Sequence, residues 1–274
     1  MLLLLSDYFK NSYSALNIFG YITFRSIFSC LTALTISFFF TPIFLNKLNK
    51  IAFKQLIRDD GPSSHLKKKN TPTMGGVMIL ISLLVSVLIW GDIHNKYLWV
   101  IVATMICFGF IGGIDDYLKI IIKAKDGMIA KYKMIGQIIL GIIISYAIIN
   151  SNDFNGFNTK TTIPFFKNFE FDFGIFYPLL VIIVITATSN AVNLTDGLDG
   201  LAIGLLAICF TVFTAISYIS GRVDFSDYLN ILYLPKASEL SIFASAAVGA
   251  CLGFLWFNSS PAEIFMGDTG SLSL

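Results

Sequence analysis

Three separate segments of this sequence set aspartate beside glycine: "GGIDDYLK" (112–119), "NAVNLTDGLDGLA" (190–202) and "FMGDTGSL" (265–272). The chemistry that suits this company is the handling of phosphate with Mg²⁺. That ion takes hard oxygen ligands, typically one or two carboxylates together with substrate phosphates and water. Glycine lets backbone approach a phosphate closely. Lys67, Lys68, Lys69, Lys119, Lys123 and Lys125 lie near enough in sequence to supply point charges for a pyrophosphate. Without a metal or those lysines, Asp115, Asp116, Asp196, Asp199 and Asp268 in one cluster would repel one another and raise each other's pKa.

Taken singly, each piece has a plainer reading. Asp115-Asp116 fits a solvated helix end, and "GDTG" a turn. Lys67-Lys68-Lys69 fits a positive anchor at a membrane surface. Asp196 and Asp199, three apart, fit the favourable start of a following helix. Adjacent helical residues point about 100° apart, so Asp115 and Asp116 do not chelate one ion side by side. One can face a metal while the other faces a substrate or a lysine. The joint occurrence is what points to a site, since three unlinked segments deliver Asp-plus-Gly to one membrane face. His65 and His94 are the only histidines, and neither has metal-ligand spacing. Cys30, Cys107, Cys209 and Cys251 are scattered through apolar runs without CxxC spacing and read as small buried hydrophobes.

The elements that must position these acids are membrane helices. The chain has 274 residues, of which 55% are hydrophobic and 13% charged, with a mean hydropathy of +0.76. Soluble domains carry about 25% charged residues. Apolar runs near 21–45, 74–91, 97–114, 134–150, 174–190, 200–220 and 239–257 predict about seven spans. The intervening loops alternate between two sides. One side collects Lys47, Lys50, Lys54, Arg58, Lys67, Lys68, Lys69, Lys119, Lys123, Lys125, Lys131 and Lys133. The other holds Lys10, Lys96, Lys160, Lys167, Arg222 and Lys236, with Arg25 inside the first span. The positive-inside rule makes the richer side cytoplasmic and places the N-terminus outside. The acid clusters then all face the cytoplasm. The outer loop suggests a small β-hairpin over 161–173. "MLLLLSDYFK" has a five-residue apolar run, short of a signal-peptide core and without a basic stretch before it. No repeat or second domain is evident, so residues 1–274 read as one all-α, polytopic transmembrane bundle.

"NTPTMGG" (70–76), "GGIDDYLK", "NAVNLTDGLDGLA" and "FMGDTGSL", in that order, closely resemble the motifs of the phospho-N-acetylmuramoyl-pentapeptide transferase family, within the polyprenyl-phosphate N-acetylhexosamine-1-phosphate transferase superfamily. The resemblance runs from about residue 20 to the end. It implies a bacterial inner-membrane enzyme of peptidoglycan and cell-wall synthesis, serving cell shape and division. Such an enzyme passes phospho-N-acetylmuramoyl-pentapeptide from its UDP carrier to undecaprenyl phosphate, giving the first lipid-linked intermediate and UMP, with Mg²⁺ as cofactor. The implied partners are those two substrates and the bilayer, with a homodimer permitted and no nucleic acid. Motif by motif, the resemblance makes Asp268 the Mg²⁺ ligand and sets Asp115, Asp116 and Asp268 in the catalytic centre. Asn193, Asp196 and Asp199 hold the nucleotide-sugar, Phe265 offers a surface for uracil, and Lys68, Thr73, Lys119 and Lys123 contact phosphate or nucleotide. The family has ten spans and a late cytoplasmic loop with clustered histidines. This chain stops directly after "GDTGSLSL", so the reading expects a C-terminally incomplete transferase domain.

Three rivals remain in this reading. One is a superfamily member using UDP-N-acetylglucosamine or a related sugar, and another is a non-catalytic fragment. The third is a secondary transporter, whose acids would sit near the bilayer midplane on broken helices in repeated halves. The acids here fall at span ends.

Overall fold

The computed structural model describes residues 1–9, 13–51, 71–120, 122, 127–151, 159–162 and 170–274. All seven apolar runs are helices. They are α2 (Ile22–Ile51), α3 (Gly76–Trp90), α4 (Lys96–Ile120), α5 (Ala130–Ile149), α6 (Tyr177–Thr195), α7 (Leu201–Ser220) and α9 (Leu240–Asn258). The short helices α1 (Leu2–Phe9), α8 (Val223–Leu229) and α10 (Gly267–Ser273) are the other α-helices among the described residues. Six of the seven are long and apolar enough to cross a bilayer, and Gly76–Trp90 is the shorter one. The expected hairpin is β1 (Lys160–Thr162) paired antiparallel with β2 (Glu170–Asp172), in the register Lys160↔Asp172.

The centre of the bundle is α9, with 72% of its most apolar stretch buried, against 6% for the span that contains α6. Its sequence explains that place. "LSIFASAAVGACLGFLWFN" is rich in small residues, which let helix backbones approach closely inside a membrane. Gly249 lies against the Cys30 carbonyl of α2, and Gly253 against Leu34 and Ser37. Hydroxyls then bond across the seam: Ser37 Oγ donates to the Ala250 carbonyl at 3.1 Å, and Ser29 Oγ to that of Ile242 at 3.1 Å. Helices α2, α3 and α7 pack around α9, while α10 packs against α3, α4 and α6.

One end of the bundle is tied by a buried ion pair. Arg25 donates to both carboxylate oxygens of Glu239 and, at 3.2 Å, to the Trp90 carbonyl; the Asp92 amide donates to Glu239 Oε2, also at 3.2 Å. The acid clusters gather at the other end. There several helices outrun their apolar sequence. Helix α4 continues to Ile120 where the apolar run ended near 114, α5 starts at Ala130 instead of 134, and α6 reaches Thr195 instead of 190. Polar residues expected in loops therefore stand on helices. Those extensions hold because their polar side chains find partners on neighbouring helices.

Candidate active site

The site grows from α4. Leu98, Val102, Met105, Gly109, Gly112 and Asp116 are buried at alternating four- and three-residue steps, a single helix face. The glycines on that face let α10 come close, because a Cβ on Gly112 would collide with the Asp268 carbonyl oxygen. Gly76 of α3 stands back-to-back with Gly270 of α10 for the same reason. The segment before α3 runs beside the segment before α10. The Phe265 amide donates to the Pro72 carbonyl at 2.9 Å, the Gly75 amide to that of Phe265 at 2.9 Å, and the Gly76 amide to that of Met266 at 2.7 Å. "TPTMGG" and "FMGDTG" are thus two sides of one junction.

Asp116 completes the glycine face and meets the start of α10. Its Oδ1 accepts from the Asp268 amide at 3.0 Å, and its Oδ2 from the Thr269 amide at 2.9 Å and the Thr269 hydroxyl at 2.6 Å. Asp115 turns the other way and is 1% exposed. Its Oδ2 lies 2.6 Å from Lys119 Nζ and 3.3 Å from Lys133 Nζ, and its Oδ1 accepts from the Met128 amide. The Asp268 carboxylate joins the same two ammonium groups, at 2.8 Å from Lys119 and 2.9 Å from Lys133. Asn193 Nδ2 donates to Asp268 Oδ1 at 2.9 Å and to Ser271 Oγ at 2.7 Å. Two carboxylates and two lysines form a closed square with Asn193 at one corner.

Charge follows this geometry. Burial works against ionisation of Asp268, but its hydrogen bond with Asp115 and the Lys119 and Lys133 charges outweigh that. They hold it below the ordinary carboxylate range. Asp196, just past the end of α6, has no such cation among the described residues. Burial first, then the charges of Asp268 and Asp116, push its carboxyl up to about 7, against a lowering hydrogen bond from the Gly267 amide.

The structure therefore brings together Asp115, Asp116, Lys119, Asn193, Asp196 and Asp268. Thr73 stands beside them, buried, with its hydroxyl 2.8 Å from where a Cβ on Gly267 would lie. Asp199 stands further off; its Oδ2 accepts from the Ala262 amide at 3.4 Å, tying the 196–200 turn to the segment before α10. Phe265 is half-buried, its backbone fixed by the pairing with Pro72 and Gly75. Lys68 and Lys123 lie outside the described residues. Among the described residues no three carboxylate, histidine or cysteine side chains converge as a metal cage made by protein alone would require. Asp268 as a lone principal carboxylate fits a Mg²⁺ ion, which commonly takes only one or two carboxylates from protein.

Sequence reasoning counted Lys133 only as one of many positive anchors. A signal for it was present. Lys133, Gln137, Gly141 and Ser145 recur every four residues as a polar and small stripe on an otherwise Ile-rich helix, and the last three are buried. That stripe faces α6 and α10: Asn190 Nδ2 donates to Gln137 Oε1 at 2.9 Å, and Lys133 Nζ lies 2.9 Å from Asp268 Oδ2.

Comparison with known proteins agrees with this architecture. The family model described as "Glycosyl transferase family 4" matches residues 98–274, and the motif described as "Phospho-N-acetylmuramoyl-pentapeptide-transferase signature 1" matches residues 68–80. The curated "Phospho-N-acetylmuramoyl-pentapeptide-transferase" of Thermodesulfovibrio yellowstonii is 49% identical over 271 residues, covering 98% of this chain and 73% of that protein. With its three acidic motifs folded into one site at the end of a multi-pass membrane bundle, the chain belongs to the phospho-N-acetylmuramoyl-pentapeptide transferase family, within glycosyl transferase family 4, and is a phospho-sugar transferase.

Proposed function

We propose that the Asp115–Lys119–Lys133–Asp268 square is the seat of a Mg²⁺-dependent transfer of phospho-N-acetylmuramoyl-pentapeptide from UDP to undecaprenyl phosphate. The reaction occurs at the cytoplasmic face of the bacterial inner membrane, with the N-terminus outside, and yields the first lipid-linked peptidoglycan intermediate and UMP. The observation that carries the reading is the convergence of three unlinked motifs: Asp115 and Asp268 share Lys119 and Lys133, and Asn193 donates to Asp268.

In this reading a phosphate oxygen of the lipid attacks the phosphorus bonded to the sugar. The bond to the UMP phosphate breaks, and UMP leaves with the electron pair. Phosphomonoesters have a second pKa near 6, so the attacking phosphate is already largely dianionic at pH 7 and needs no strong base. The protein's work is positioning and charge neutralisation. Lys119 and Lys133, each within 2.9 Å of Asp268, are the cations that can turn to phosphate oxygens. Asn193 and Ser271 fix the orientation of the Asp268 carboxylate. Asp268 would hold Mg²⁺, with Asp115 and Asp196 as neighbouring carboxylates. Bound there, the ion supplies charge neutralisation across the pyrophosphate. The lipid substrate reaches the site from the bilayer between helices, and the nucleotide from the aqueous side.

The test is UMP release by the purified protein in detergent, with undecaprenyl phosphate, Mg²⁺ and each UDP-sugar in turn. Release with UDP-N-acetylmuramoyl-pentapeptide supports the reading. Release only with UDP-N-acetylglucosamine assigns the chain to the neighbouring branch, and release with neither removes the reading.

A further inference from the structure

The two adjacent acids of "GGIDDYLK" do not share one task. We infer that Asp116 is a positioning residue, which holds the first turn of α10 and through it aims the Asp268 carboxylate, and that it does not meet the reacting atoms. The inference deepens the transferase reading above and rests on it for the role of Asp268.

The hydrogen bonds carry the argument. A carboxylate offers about four acceptor positions. On Asp116, three are taken by the Asp268 amide, the Thr269 amide and the Thr269 hydroxyl. The fourth position is on Oδ1, and the Oδ2 side is closed by Gly267 and Thr73, since a Cβ on Gly267 would come within 2.8 Å of both Asp116 Oδ2 and Thr73 Oγ1. The side chain is 3% exposed. The amides it receives are among those a helix cannot satisfy internally in its first turn, and an anion there also meets the favourable end of the peptide dipoles.

Backbone conformation gives a second, independent sign. Gly267 and Met74 both have positive φ, +75° and +76°, and their residues abut at this carboxylate. A non-glycine residue in that region persists only where its surroundings over-determine it. At Met74 those surroundings are the bonds from the Gly75 and Gly76 amides to the Phe265 and Met266 carbonyls, while Asp116 restrains the abutting Gly267 turn by binding the two amides immediately after it. Asp115 differs in its charged partners: its carboxylate faces Lys119 and Lys133 in company with Asp268. Asp115 touches the charges of the square, and Asp116 touches the scaffold that carries Asp268.

The experiment is hydrogen–deuterium exchange over residues 267–273 of the full chain in detergent, paired with UMP-release kinetics. Asp116→Asn should speed exchange of the Asp268 and Thr269 amides at least tenfold, equivalent to about 1.4 kcal/mol, whereas Asp115→Asn leaves those amides at wild-type rates. Asp116→Asn should lower kcat while the pH profile keeps its midpoints. Thr269→Val, which removes one donor and keeps the carboxylate, should reproduce part of both effects. The double variant should be no worse than Asp116→Asn alone, as coupled residues behave. Unchanged amide protection in Asp116→Asn alongside a fallen kcat, or loss of the acid limb of its pH profile, overturns the inference and returns Asp116 to the reacting atoms. Where Asp116→Asn does not fold, exchange in Thr269→Val decides alone: faster exchange at these amides supports the inference and wild-type protection overturns it. If wild type releases no UMP from any UDP-sugar, the transferase reading fails, while the exchange result still decides whether Asp116 holds α10.

Discussion

Among the described residues Asp196 has no cation beside it, and its replacement by asparagine should make the protein more stable. Burial, together with the charges of Asp268 and Asp116, pushes its carboxyl up to about 7 from an ordinary value of 3.8. The folded protein therefore keeps a proton that the unfolded chain releases above about pH 4. Folding stability falls as pH rises from there toward 7, and is level beyond. From pH 5 to pH 8 the loss is roughly 2–3 kcal/mol, at about 1.36 kcal/mol per unit. Asp196→Asn has no such proton to lose, so its advantage over wild type should grow by about that amount between pH 5 and pH 8. For a chain of this size that is a widening of very roughly 5–10 °C in Tm. Cys251 is fully buried and reports unfolding when it becomes open to a thiol-reactive dye, after the exposed Cys209 has reacted. Thermal scans in EDTA at the two pH values provide the comparison. A Tm difference that stays constant across pH, or a less stable variant at pH 8, would refute the reasoning. The expected gain in stability should be matched by slower transfer, the usual exchange at a strained functional site.

Three further outcomes test other parts of the site. Gly112→Ala places a methyl group against the Asp268 carbonyl and should reduce UMP release about 100-fold, as displacements near 1 Å can. Gly113→Ala, whose nearest neighbour is Thr269 Oγ1 at 3.7 Å, should stay within about twofold, so equal losses in the two would discredit the close-approach argument. Lys133→Met keeps the side chain's length but leaves Asp115 and Asp268 sharing Lys119 alone, and should lower kcat/KM at least about tenfold; an unchanged value removes Lys133 from the site. Arg25→Met, at the opposite end, leaves Glu239 buried without its cation. It should reduce stability by about 3–5 kcal/mol in thermal unfolding, while the folded fraction transfers at the wild-type rate.

Much of the bundle was legible because apolar length alone dictates a span, and all seven runs became helices close to their expected places. The ends were less legible. Hydropathy stopped α4 near residue 114, since the local sequence offers only Lys119 as a partner for Asp115; the others are Lys133 and the amides of Asp268 and Thr269. The hairpin was readable from its flanking pattern, and its register became visible only in the paired strands. Several motif glycines also have a purpose that composition did not suggest. Gly76, Gly112 and Gly270 admit a neighbouring helix, so in these three the small side chain serves packing at the very place where the acids need to be held.

The division of labour between the paired acids was nonetheless written in the helix phase. Counting back from Asp116 in steps of four and three residues reaches Gly112, Gly109, Met105, Val102 and Leu98, a face whose glycines announce a closely packed neighbour. A carboxylate that continues such a face must find donors on that neighbour or lose the hydration of its charge uncompensated. The amides at the start of a helix are donors with nothing else to satisfy them. Asp115, about 100° away, leaves that face and reaches Lys119 one turn along on its own helix. What the phase could not supply was the identity of the neighbour. Asp268 lies more than 150 residues from Asp116, and Lys133 on a different helix from Asp115, so only the fold puts the second lysine and the third acid where the first two residues need them.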